Sequence, residues 1–129
     1  MDLPTRSAEV DALLAATDHR HVAVIDAIRE ELLAVPGVAE SIKWKAPNYA
    51  LADDFATMSL RKPEAVQLIL HTGAKPKPKH PEIGVDPLPA FARRADRNRL
   101  VLTFTGVTLP DEDRLELRRM IKAWTAQLA

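Results

Sequence analysis

The spacing of apolar residues changes along this chain, and that change restricts the possible folds more than any other feature. In residues 20–35, apolar side chains recur at the spacing of an amphipathic helix. In residues 41–46, 55–60 and 66–72, they alternate with other side chains, as in a β-strand with one buried face. Short turn-forming segments separate these three stretches. The sequence therefore predicts a helical start followed by a three-stranded antiparallel meander.

Further elements are predicted on both sides of the meander. A first helix covers residues 7–17 with Ser7 as its N-cap, and a short helix covers residues 87–95. A fourth strand follows at 100–105, and a final helix runs over about 109–128. The predicted order is ααβββ(α)βα. This order indicates an α+β fold, a two-layer sandwich with an antiparallel sheet of about four or more strands and the N- and C-terminal helices packed on one face.

Length and charge limit the classes of function. The chain has 129 residues, which predicts a single domain over 1–129, and its eighteen basic and eighteen acidic residues cancel. Nucleic acid is an unlikely partner, because its binding proteins usually carry a basic excess. The chain has no cysteine, which excludes thiolate chemistry and thiolate metal sites. No apolar run reaches the roughly 20 residues of a membrane helix, and the first residues lack a signal core, so we expect a cytoplasmic protein with no membrane association.

The segment IKWKAPNYA, residues 42–50, combines a tryptophan with two flanking lysines and a proline. Alternation places Trp44 on the same side of a strand as Ile42, and Lys43 and Lys45 on the other side. We therefore expect Trp44 to belong to the hydrophobic core, together with Met58, Leu68, Leu70, Leu102 and Phe104.

The opposite face of the sheet is then polar and partly cationic, with Phe55, Ile69 and Val101 as apolar islands. An antiparallel sheet can expose such a face to water without any ligand. The alternative is a binding surface for a partner protein or a small anionic ligand, because lysines beside hydroxyl groups suit carboxylates and phosphates. The candidate binding residues are Lys43, Lys45, Thr57, Ser59, Gln67, His71, Lys75, Lys77, Lys79 and Thr103.

The segment GAKPKPKHPEIG, residues 73–84, alternates lysine with proline. This pattern favours an extended polyproline II conformation with Lys75, Lys77 and Lys79 directed into solvent. The segment is either an anion-binding arm beside the sheet face or a solvated connection whose prolines reduce the entropy lost on ordering.

No catalytic or metal motif is present in the sequence. The four histidines do not have the spacing of metal ligands, although His71 and His80 could approach each other. Acidic residues on the first two helices could bind a hard cation weakly, or could simply form the solvent-exposed face of these helices. Nucleophile elbows, P-loops and dinucleotide fingerprints are missing, so no catalytic residue is predicted.

The order of elements and the segment PGVAESIKWKAPNYA, residues 36–50, resemble the YdhG-like family of small bacterial proteins, a domain of unknown function. VQLILHTGAK and DRNRLVLTFTG, followed by a terminal helix with an apolar stripe, also look like this family. The resemblance implies a fold similar to that of frataxin-like proteins, and a connection of some members with iron delivery.

Two functions follow as expectations. The first is a non-enzymatic binding or interaction module that uses the polar sheet face and the Lys-Pro segment and needs no cofactor. The second, implied by the resemblance, is a frataxin-like iron chaperone for iron or iron–sulfur metabolism. A monomer and a homodimer are both compatible with the sequence.

Overall fold

The computed structural model describes residues 6–73, 75 and 77–128. Within these residues it contains three α-helices and six β-strands. The helices are α1 (Ala8–Thr17), α2 (Val22–Leu33) and α3 (Asp111–Ala126). The strands are β1 (Ala39–Lys43), β2 (Ala46–Ala50), β3 (Asp54–Ser59), β4 (Val66–Leu70), β5 (Ala92–Asp96) and β6 (Arg99–Phe104).

All six strands form one antiparallel sheet in the order β1-β2-β3-β4-β6-β5. Helices α2 and α3 bury their apolar stripes against one face of this sheet, so the predicted α+β fold and two-layer sandwich are confirmed. The alternation that defines the core face is confirmed in β3, β4 and β6, where it buries Met58, Leu68, Leu70, Leu102 and Phe104.

Helix α1 is held to the sheet by ion pairs and hydrogen bonds more than by apolar packing, since Val10 is its buried residue. The predicted cap at Ser7 is confirmed, because its side chain accepts a hydrogen bond from the Val10 N–H. Arg29 of α2 reaches both Glu40 carboxylate oxygens, at 2.7 and 2.8 Å, and Asp11 of α1 at 2.6 Å. This cluster joins α1, α2 and β1.

The prediction for residues 41–46 was wrong. Instead of one strand there is a hairpin, in which Lys43 of β1 pairs with Ala46 of β2 and leaves Trp44 and Lys45 as a two-residue turn. Their φ angles are 52° and 60°, and a type I′ turn requires positive φ at both central residues. Trp44 is therefore not a core residue, and 68% of its surface is exposed. Tyr49, five residues further on, is the aromatic side chain that this region contributes to the core.

Phe55 was also placed on the wrong face. Tyr49 of β2 pairs with Ala56 and the next residue, Ala50, pairs with Asp54, so β3 contains one extra residue at Phe55. Such a β-bulge interrupts the alternation of side chains. As a result Phe55 is completely buried in the core, and Asp54 hydrogen-bonds to side chains on the open face.

The short helix predicted at residues 87–95 is absent from the described chain, and residues 92–96 form the edge strand β5 instead. Ala92 pairs with Leu102 of β6, and the Phe91 and Phe104 rings pack with their centres 4.7 Å apart. Pairing with the neighbouring strand and burial of Phe91 outweigh the local preference for a helix turn.

Candidate ligand-binding cavity on the open sheet face

A cavity of about 550 Å³ lies on the face of the sheet that the helices leave open. Thr57 of β3, Ile69 of β4 and His71, which follows β4, form its floor. Its walls are formed by the turn between β1 and β2, by residues 72, 73, 75, 77 and 78, and by the residues in and next to the turn between β5 and β6. The wall residues are Trp44, Thr72, Gly73, Lys75, Lys77, Pro78, Asp96, Arg97, Asn98 and Arg99.

The β1–β2 hairpin brings Trp44 to this cavity. Pairing between β2 and β3 begins only at Asn48 and Thr57, so the tip of the hairpin extends beyond the paired part of the sheet. The Lys43 ammonium reaches the Asp54 carboxylate at 2.6 Å, and the Trp44 side chain lines the same space as Thr57. The tip therefore lies over the open face and presents an exposed indole to the cavity.

The imidazole of His71 is held in one protonation state by its neighbours. The Gly73 N–H donates to Nδ1 at 3.0 Å, so this nitrogen carries no proton. The Thr57 hydroxyl donates to the Asn48 side-chain oxygen, which leaves Nε2 of His71 to donate to Thr57 at 3.0 Å. Burial lowers the pKa of His71, and the positive charge of Arg99 acts in the same direction, although Asp54 opposes both. His71 is thus a neutral, fully engaged side chain at the bottom of the cavity.

The hydrogen-bond chain continues below the cavity. The fully buried Asn48 amide donates to Asp54 at 2.9 Å, and Lys43 donates to the other oxygen of the same carboxylate. The His71 carbonyl accepts a hydrogen bond from the Trp124 indole at 2.9 Å, which ties the cavity floor to α3. These bonds fix the floor before any ligand arrives.

The cations around the cavity are of two kinds. Lys77 forms an ion pair with Asp53 at 2.7 Å. Among the residues that the structure describes, Lys75, Arg97 and Arg99 have no acidic partner within ion-pair distance. Asp96 is the acidic residue in the wall, and its carboxylate accepts the Asn98 N–H inside the β5–β6 turn. Positive charge therefore exceeds negative charge around the cavity.

The structure brings together four of the ten predicted binding residues, since Thr57, His71, Lys75 and Lys77 line the cavity. Lys43 lies nearby but is paired with the nearly buried Asp54. The remaining predicted residues do not line the cavity. Lys45 lies in the hairpin turn, and Lys79 lies in a turn closed by a hydrogen bond from the His80 N–H to the Lys77 carbonyl. The Gln67 side chain donates to Thr103 at 3.2 Å, and Ser59 pairs with Gln67 in the neighbouring strand. The predicted polyproline II conformation of residues 73–84 includes Ala74 and Pro76, which lie outside the described residues.

Trp44, Arg97 and Arg99 line the cavity but were not among the predicted binding residues. Trp44 was assigned to the core because the hairpin turn was not recognised. The two arginines belong to the segment DRNR, and its Asn98 is a residue type typical of tight turns. Recognising a hairpin there would have placed both guanidinium groups at the edge of the open face.

His71 and His80, which the sequence allowed to approach each other, have separate partners. His80 contacts the Pro81 carbonyl at 2.7 Å, and His71 bonds to Thr57 and Gly73. In the described part of the chain, no three His, Cys, Asp or Glu side chains are grouped as a metal site. None of the helices described there has both the length and the apolar character needed to cross a bilayer.

Comparison of the chain with family models, curated proteins and solved structures finds no match.

Proposed function

We propose that this protein is a non-enzymatic binding module for small organic anions, and that the ligand occupies the cavity on the open sheet face. The observation that carries the proposal is the position of Lys75, Arg97 and Arg99 around this cavity without an acidic partner among the described residues. A charged group that is not needed for an internal ion pair and faces a preformed concave space is available for a ligand.

The size and lining of the cavity favour a small molecule. Ligand pockets in proteins usually measure about 300–1,000 Å³ and combine an apolar surface with a few placed polar groups. The cavity here has about 550 Å³, with Ile69 and Trp44 as apolar surface and Thr57 as a hydroxyl group. A macromolecular partner would need a larger complementary surface of about 800 Å² on each side.

Binding is favoured over catalysis because the best candidate for a general base is already occupied. Both ring nitrogens of His71 are used in internal hydrogen bonds, to Gly73 and Thr57. Removing a proton from a ligand would require His71 to give up the Gly73 N–H bond and to become charged in a half-buried position, which is unfavourable. The role of His71 in the proposal is to hold the cavity floor.

The frataxin-like iron chaperone remains a prediction from the resemblance, and no contact around the cavity favours it. The proposal includes a cytoplasmic location for the protein, since small organic anions such as metabolites are abundant in the cytoplasm.

The proposal is tested by isothermal titration calorimetry with three anions, namely citrate, benzoate and phenyl phosphate. We expect saturable binding of at least one of them, which weakens as salt rises from low concentration to about 0.5 M because charged contacts are screened. The double variant Arg97→Gln, Arg99→Gln should lose this binding.

The matched control is the double variant Arg20→Gln, Arg61→Gln, which removes the same charge from two exposed arginines away from the cavity. It should bind as the wild type does. Equal loss in both double variants would mean that only net charge matters, and absence of binding to all three anions would contradict the proposal.

A further inference from the structure

The charges around the cavity indicate how much negative charge the ligand carries. Lys77 is neutralised by Asp53, which leaves Lys75, Arg97 and Arg99 against the single carboxylate of Asp96. Two positive charges are therefore uncompensated. A carboxylate would neutralise one of them, whereas a phosphate monoester carries about −1.5 to −2 at pH 7 and would neutralise both.

The type of cation is compatible with a phosphate. Two of these three cations are guanidinium groups, with Arg97 in the turn between β5 and β6 and Arg99 at the start of β6. A guanidinium offers parallel N–H donors that match two oxygens of a phosphate at once. Three acceptor oxygens on a phosphate monoester can use donors from Arg97, Arg99 and Lys75 together.

The opposite wall of the cavity is suited to a planar ring. Trp44 is held in a turn by positive φ, a conformation that costs a residue with a side chain about 1–2 kcal/mol. Its indole is mostly exposed and adds nothing to the core, so neither folding nor turn formation explains a tryptophan there. An exposed indole that lines the same cavity as the apolar side chain of Ile69 is a suitable place for a flat, weakly polar group to stack.

We infer that the ligand is a phosphate monoester that carries a planar aromatic group, with its phosphate at Lys75, Arg97 and Arg99 and its ring against Trp44. This inference rests on the proposed function and specifies the ligand class for the same cavity. The ring is joined to the phosphate directly, as in an aryl phosphate, or through a sugar, as in a nucleoside monophosphate.

The test compares affinities of the full chain for five compounds by calorimetry at constant ionic strength. Phenyl phosphate and adenosine monophosphate carry both features, and they differ in the spacing between ring and phosphate. Benzoate has the ring with a single negative charge, methyl phosphate has the phosphate without a ring, and benzyl alcohol has the ring without charge. The same titrations are made with Trp44→Ala and with the Arg97→Gln, Arg99→Gln variant, after thermal melts establish that both are folded.

We expect phenyl phosphate or adenosine monophosphate to bind at least about tenfold more tightly than benzoate and methyl phosphate, the effect of one lost charge-assisted contact or one lost stacking contact. Whichever of these two compounds binds more tightly identifies the spacing between ring and phosphate that the cavity prefers. Trp44→Ala should bring the aromatic phosphate down to the affinity of methyl phosphate, and the arginine variant should remove the preference for phosphate over carboxylate.

Two results would overturn the inference while the proposed function stands. Equal affinity for benzoate and phenyl phosphate would show that the site does not require a dianion, and equal affinity for methyl phosphate and both aromatic phosphates would show that no ring is recognised. If neither these four anions nor citrate bound, the proposed function would fail as well.

Discussion

Two regions of this molecule contain arginines close to the sheet, and they use them differently. On the side covered by helices, the Arg29 side chain is almost completely buried and bonds to both oxygens of Glu40 and to Asp11. On the open side, Arg97 and Arg99 line a cavity and have no acidic partner within the described residues. In the first region, Arg29, Glu40 and Asp11 are paired with one another inside the protein. The second has more cations than anions.

The difference separates charges that hold the fold from charges that are free to bind. Arg29 and the Ser7 N–H hold the pKa of Glu40 below its usual range even though burial acts in the opposite direction. Tyr49 also donates to this carboxylate at 2.7 Å, so Glu40 is completely satisfied. Removal of Arg29 would leave the buried Glu40 carboxylate without a counter-charge. The arginines beside the cavity can be changed without creating such a charge, because water already reaches them.

The largest effect is expected at Arg29. Arg29→Met should destabilise the fold by about 3–5 kcal/mol, because it leaves the buried Glu40 carboxylate without its cation. Arg97→Gln should change the free energy of unfolding by less than about 0.5 kcal/mol, as exposed positions usually do. Urea unfolding of both variants measures the contrast. Similar losses of stability in the two variants would remove the distinction between the regions.

A smaller loss is expected at Asn48, which lies under the cavity. Asn48→Ala removes one partner from Thr57 and one from Asp54, and should cost about 1–3 kcal/mol for the unsatisfied buried groups. The control is Ser41→Ala, since Ser41 pairs with Asn48 across the hairpin. This variant should lower the free energy of unfolding much less than Asn48→Ala does. Chemical denaturation tests both. A neutral Asn48→Ala would mean that the floor is not held by this hydrogen-bond chain.

The hairpin turn should show stability and binding moving in opposite directions. The double variant Trp44→Asn, Lys45→Gly places the preferred residues of a type I′ turn at two positions with positive φ, and should raise stability by about 1 kcal/mol. The same change removes the indole, so affinity for phenyl phosphate should fall about tenfold. Lys45→Gly alone should stabilise without loss of affinity. Loss of stability in the double variant would place Trp44 back in a structural role.

The smallest effect is a pH dependence that arises from His71. Its pKa in the folded protein is lowered from 6.5, chiefly by burial, so the unfolded chain binds a proton there more readily than the folded protein does. The contribution of His71 to the free energy of unfolding is therefore fully present above about pH 6.5. It decreases as the pH falls from that value to the lower pKa of His71 in the folded protein. Asp53 and Asp54 oppose this shift and Arg99 supports it. Subtracting the stability profile of His71→Gln from that of the wild type isolates the contribution, and a difference that grows as pH rises above 6.5 would contradict it.

Much of the fold could be predicted from the sequence because apolar spacing directly reports which side chains are buried. The stripe of α3 and the alternation in β4 and β6 are long enough to be unambiguous, and the helices, the sheet and the sandwich follow from them. The errors occurred where one residue changes the alternation. The turn at Trp44 and the bulge at Phe55 each move side chains to the other face.

The candidate site was predicted only in part for a related reason. Thr57 and His71 lie on regular or nearly regular strand positions, so alternation alone placed them on the open face. Trp44 and Arg97 lie in turns and Arg99 begins β6, and the cavity exists because these two turns and residues 72, 73, 75, 77 and 78 meet above the sheet. Such meetings depend on strand order, and local spacing cannot show that β6 lies between β4 and β5.

The central claim is that the unpaired charges of the open face bind an anion and the paired charges under the helices do not. It is tested most directly by titrating the ¹⁵N-labelled protein with phenyl phosphate and mapping the NMR shift changes. We predict saturable changes at the Trp44 indole N–H, at the Arg97 and Arg99 side chains and at the amides of residues 71–73, with the Arg29 side chain unmoved. Changes centred on Arg29, or spread evenly over all exposed arginines and lysines, would contradict the claim.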